Sequence, residues 1–133
     1  MDKGRVPTGI DGFDDLIGGG FQRRSLILLA GSPGTGKTVF GATFLCKGVE
    51  LGEAGVYVSF AEDRETFVRN MSEHLGRHCE ECLRKGRTSF LDLVAMKEKG
   101  VSAILELILA EVRRVKARRL VIDSFSAMAQ AFK

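Results

Sequence analysis

One stretch, Gly31-x-x-x-x-Gly36-Lys37-Thr38 within "AGSPGTGKTVF", limits this chain more than any other. Gly31, Gly34 and Gly36 permit backbone angles that side chains resist, and they let a ligand come close to the main chain. The pattern is that of a phosphate loop, whose consecutive N–H groups turn inward on anionic oxygens. The helix expected after it adds unpaired N-terminal N–H groups and the positive end of its dipole. Lys37 supplies a compact cation for terminal phosphates. The Thr38 hydroxyl is the kind of hard oxygen that Mg²⁺ selects.

Such a loop works only between a strand and a helix. "SLILLAG", residues 25–31, is a short apolar run of the kind a buried strand needs. Beyond the loop, Val39, Ala42, Cys46 and Val49 recur at helical spacing, Phe40 and Phe44 widen the stripe, and Gly52 offers a stop. The candidate nucleotide-binding set is therefore Gly31, Ser32, Pro33, Gly34, Thr35, Gly36, Lys37, Thr38 and Val39.

The remaining chain alternates strand and helix patterns. Strands are expected at 26–30, 56–60, 88–93 and 120–122. Helices are expected at 37–51, 64–75, about 78–85, and 102–116. Asp63 is placed to cap the second helix, Phe67 and Met71 pair along it, and Gly76 ends it. In the last helix Ile104, Leu105, Ile108, Val112 and Val115 are expected to share a face. This alternation implies crossover units and a mainly parallel sheet. At 133 residues the chain has room for one domain, and 44% hydrophobic with 28% charged residues excludes a disordered one.

Two acids fall at the carboxyl ends of expected strands, where a parallel sheet gathers its ligand chemistry. Asp123 closes "RRLVID" and is a candidate Mg²⁺ carboxylate. Glu62 follows "VYVSFA" and is the candidate base that polarises a water; the adjacent Asp63 is better explained as a helix cap.

Other features point to plainer roles. The net charge of +3 is too small to argue for nucleic acid. The basic group Arg113, Arg114, Lys116, Arg118 and Arg119 reads first as a solvated helix end and second as a partner surface. No aromatic residues interleave there to stack bases. Cys79 and Cys82 form C-x-x-C with His74 and His78 upstream, a set from which a zinc site can be drawn; small buried apolar residues are the favoured reading. Three cysteines without a secretion signal argue for free thiols. No run is apolar enough to cross a bilayer, and "MDKGRVPTG" lacks a signal-peptide core, so a cytoplasmic setting is expected.

The stretches "PTGIDGFDDLIGGGF", "GSPGTGKT", "VYVSFAEDRETF" and "LVIDSFSA" together resemble the RecA superfamily, and within it the KaiC and RadA branch of ATPases. The resemblance implies an α/β P-loop NTPase fold, here its N-terminal portion over residues 1–133. It implies ATP and Mg²⁺ as cofactors, residues 31–38 as the Walker A loop, Asp123 as the Walker B acid, and Glu62 with Lys37 as catalytic residues. It also implies ring or filament oligomers with ATP at their interfaces. Relatives of the KaiC kind often carry two adjacent glutamates after this strand; here the first position is Ala61.

In this superfamily the chain continues beyond the Walker B strand and supplies the neighbours of the P-loop strand. A strand at 26–30 is then expected to lack a partner from its own chain and to offer a bare edge. A shortened chain, a split or decayed gene product, and strands borrowed by swapping all remain open. So do three functions: an ATPase, a nucleotide-dependent interaction module with little turnover, and a DNA-binding recombinase paralogue.

Overall fold

The computed structural model describes residues 4–23, 36–85, 87–96 and 99–123. The expected strand at 26–30 and loop residues Gly31, Ser32, Pro33, Gly34 and Thr35 lie outside them.

The uncharged run "GVYVS" forms β3 (Gly55–Ser59), in which every residue is buried. A strand buried on both faces belongs at the centre of a covered parallel sheet. Two further strands, β4 (Thr88–Asp92) and β5 (Arg119–Asp123), flank it in parallel, giving the order β4-β3-β5. In register, Tyr57 lies between Phe90 and Val121, and Ser59 between Asp92 and Asp123. Before them come β1 (Arg5–Val6), the short helix α1 (Phe13–Leu16) and β2 (Phe21–Gln22), which pairs antiparallel with β1.

Three longer helices cover the parallel sheet: α2 (Lys37–Glu50), α3 (Arg64–Lys85) and α4 (Val101–Val115). The chain moves outward from β3 to β4 through α3, then back across β3 to β5 through α4. Right-handed crossovers in opposite directions demand helices on opposite faces. That is the arrangement found. On one face, Ala42, Leu45 and Cys46 of α2 and Phe67, Val68 and Met71 of α3 pack on Tyr57. On the other, Ile104 and Ile108 of α4 pack on Val56, Val58 and Phe60.

Local sequence sets the helix ends. Asp63 caps α3 by accepting the Thr66 N–H at 2.8 Å. Gly76 interrupts α3 with φ 86° and ψ −178°, so the expected stop is there and helical backbone resumes beyond it. At the end of α2 the Gly52 N–H donates to the Val49 carbonyl and the Glu53 N–H to the Gly48 carbonyl, with Gly52 at φ 79°. This pair of bonds is a Schellman close.

Two expectations need correction. Helical spacing puts Leu105 on one face with Ile104, Ile108, Val112 and Val115, but it is 39% exposed while Ile104 is 0%. The core stripe follows Ile104, Ile108, Val112 and Val115, and Leu105 lies off its edge. Arg119 was grouped with the solvated cations. The two-residue period of β5 turns it inward instead. There it donates to Glu53 Oε1 at 2.9 Å and to the Pro7 and Phe44 carbonyls at 2.7 and 2.8 Å. Its guanidinium also lies 4.5 Å from the Phe44 ring centroid. One buried arginine thus ties β5 to α2, to the N-terminal segment and to the turn before β3.

Candidate functional site

The sheet order makes the site. With β5 hydrogen-bonded to β3, the carboxyl ends of both strands lie side by side, Ser59 opposite Asp123. The N-terminus of α2 reaches the same edge. Gly36, its N-cap, has φ 89°, a left-handed angle that suits glycine, and brings no side chain to cap the helix. The first N–H groups of α2 therefore have no side-chain acceptor from the cap residue, as an anion site at a helix N-terminus requires.

Thr38, one residue into the helix, donates from Oγ1 to Asp123 Oδ2 at 2.9 Å. These residues are 85 positions apart, and the fold brings them into contact. A hydroxyl and a carboxylate converging in this way form the hard-oxygen pair that Mg²⁺ uses alongside phosphates and waters. The donor set therefore fits that ion. Lys37 and Val39 stand in the same first turn, before and after Thr38.

Glu62 lies in the turn after β3. Its own N–H and that of Ala61 donate to Ser59 Oγ at 3.1 and 3.2 Å, which shapes the turn. Asn70, two turns into α3, points its amide at Glu62 Oε2 across 3.4 Å. Burial raises the Glu62 pKa above the ordinary carboxylate range, and the nearby charges of Asp123 and Asp63 raise it further; the Asn70 contact opposes them. A carboxylate moved toward neutrality is a better proton acceptor at working pH than an ordinary one. Asp63 instead has its pKa lowered by the Thr66 N–H, in keeping with a cap.

Three residues at this edge carried no functional reading in the sequence: Tyr57, Ser59 and Asn70. Tyr57 donates its hydroxyl to Asp123 Oδ2 at 2.5 Å. Strand alternation places Tyr57 and Ser59 on the face toward α2. That signal was available in "VYVS", but the contact with a residue 66 positions away was not.

The cysteines lie elsewhere. Cys46, Cys79 and Cys82 are free and buried in the seam between α2 and α3. Cys46 Sγ approaches the Cys79 carbonyl at 3.7 Å, and His74 meets its own helix at the Asn70 carbonyl. Among the described residues no group of three or more His, Cys, Asp or Glu is gathered for a metal ion. Among those residues, also, no helix is long and apolar enough to cross a membrane.

Comparisons with known proteins agree with this fold. The family model for the KaiC ATPase matches residues 6–133. A UPF0273 protein of Thermotoga maritima is 34% identical over 138 residues, covering 93% of this chain and 57% of the relative. The circadian clock oscillator protein KaiC of Prochlorococcus marinus is 33% identical over 140 residues, covering 99% of this chain and 28% of that protein. The crystal structure of a KaiC-like protein from Pyrococcus horikoshii superposes with a TM-score of 0.81 at 40% identity, covering 94% of this chain and 55% of that one. The chain thus spans about half the length of its UPF0273 and KaiC-like relatives. A match over nearly every residue, joined to a parallel sheet with Thr38 and Asp123 in contact at its carboxyl edge, places the chain in the KaiC ATPase family.

Proposed function

We propose that the carboxyl edge of this sheet binds Mg·ATP and hydrolyses it. The observation that carries this reading is the 2.9 Å contact between Thr38 and Asp123, with Glu62 on the neighbouring strand end. The phosphate loop, Gly31 to Thr38, holds the phosphates, and Lys37 sets its charge against the terminal ones. Thr38 and Asp123 would hold Mg²⁺, which when bound neutralises charge developing on the phosphate oxygens. Asn70 orients Glu62, and Glu62 accepts the proton of the attacking water.

The KaiC relationship further supports self-association of copies around bound nucleotide, in a ring or filament, and a cytoplasmic setting. Coupling to assembly or to a DNA- or signalling-related role belongs to the same proposal. Phosphate release from Mg·ATP tests the reading, with Lys37→Ala as the blank. Release well above the blank is expected, and release no higher than the blank would overturn hydrolysis by this chain.

A further inference from the structure

Tyr57 sits at the middle of the central strand, fully buried, and still spends its hydroxyl on Asp123. Its ring is fixed from two sides. The Phe67 ring lies 4.2 Å away and the Phe90 ring is stacked at 5.7 Å with planes 4° apart. Helix α2 crosses above it at Gly41, where an added Cβ would stand 3.5 Å from Tyr57 Cε2 and 2.9 Å from Val121 Cγ1. The missing side chain there lets α2 settle close to the ring. A tyrosine held this firmly offers its O–H at one place only.

Asp123 is the last residue of β5 and is not fully buried. Left alone, such a side chain samples several rotamers. Two hydroxyls restrain it, from Thr38 at 2.9 Å and from Tyr57 at 2.5 Å, and both end on Oδ2. Thr38 must also serve the cation and phosphates in the proposed site. Tyr57 has no second task.

We propose that Tyr57 is a positioning residue for the metal-side carboxylate: it pins Asp123 through Oδ2 and so presents the other oxygen to the hydrated Mg²⁺ of a bound nucleotide. The inference rests on the reading of Asp123 given above. Hydrogen bonds to a metal ligand of this kind typically change metal affinity by about 10- to 100-fold.

The chain holds one tyrosine and no tryptophan, so its intrinsic emission reports Tyr57 alone. A phenol bonded to a carboxylate is quenched relative to a free one. Two measurements follow. In the first, Mg²⁺ is titrated at fixed fluorescent ATP analogue for the wild type, Tyr57→Phe and Asp123→Asn. Tyr57→Phe is expected to raise the half-saturating Mg²⁺ concentration about tenfold while leaving Mg²⁺-free nucleotide binding unchanged. A merely structural tyrosine would lower the melting temperature and leave that midpoint in place, which would overturn the inference. If Asp123→Asn also leaves the midpoint unmoved, the reading of Asp123 falls as well; if only Tyr57→Phe does, that reading stands and the inference alone fails. The second measurement needs no ligand and no Tyr57 variant. Tyrosine emission of the nucleotide-free chain should rise on Asp123→Asn, and unchanged emission would show that the hydrogen bond does not form in solution.

Discussion

Glu62 shows how one side chain carries both a cost and a use. Partial burial, then the charges of Asp123 and Asp63, raise its folded-state pKa above the ordinary value of 4.5, against the pull of Asn70. Between the unfolded and folded values the folded chain binds more protons than the unfolded one. Stability therefore falls as pH rises from the ordinary value through the raised one. Glu62→Gln should accordingly melt at a higher temperature than the wild type at pH 7, with the difference vanishing at about pH 3.5, below the ordinary carboxylate pKa. Thermal melts at the two pH values check this. A variant less stable at pH 7 would mean that the carboxylate is stabilised where it sits. Glu62 and Asp123 were legible because each follows an apolar strand run. Tyr57 was not, because its partner Asp123 lies 66 positions away, and Asn70 was not, because no local pattern marks its contact with Glu62 across the turn before α3.

The element that best separates backbone from packing is α3. Gly76 interrupts it at φ 86° and ψ −178°, a region that essentially only glycine occupies, and an added Cβ would meet nothing within 4 Å. Gly76→Ala thus tests backbone conformation with no steric clash. It should destabilise by about 1–3 kcal/mol, read as a lower urea midpoint at unchanged slope. No loss would mean that the helix straightens through this point at little cost. The break was readable from a glycine between two helical patterns, as was the Asp63 cap from its place before one. Strand ends were read less well because pairing sets them. β4 stops at Asp92, and Leu93, expected within the strand, instead donates its N–H to the Ser59 carbonyl at the end of β3. Leu105 was misplaced for a related reason. Helical spacing alone admits it to the apolar stripe of α4, and only the angle at which α4 meets the sheet leaves it outside.

At the scale of the molecule, the order β4-β3-β5 decides the chemistry, because it sets the ends of β3 and β5 side by side. The parallel, helix-covered sheet was legible from alternating strand and helix runs. The strand order itself is not written in any local pattern, and neither are the partners of Arg119, Glu53 and the Pro7 and Phe44 carbonyls, 66 to 112 positions away. The start of α2 with Gly36 and Thr38, the turn after β3 with Glu62, and the end of β5 with Asp123 are three places in the chain, brought to one edge by that order. In the proposed function this meeting place turns over ATP with Glu62 as the base. The most direct test is phosphate release at saturating Mg·ATP by the wild type and by Glu62→Gln, with nucleotide binding followed in parallel. The variant is expected to bind nucleotide as the wild type does and to release phosphate about 10²- to 10⁴-fold more slowly. Equal release rates at equal binding would contradict it.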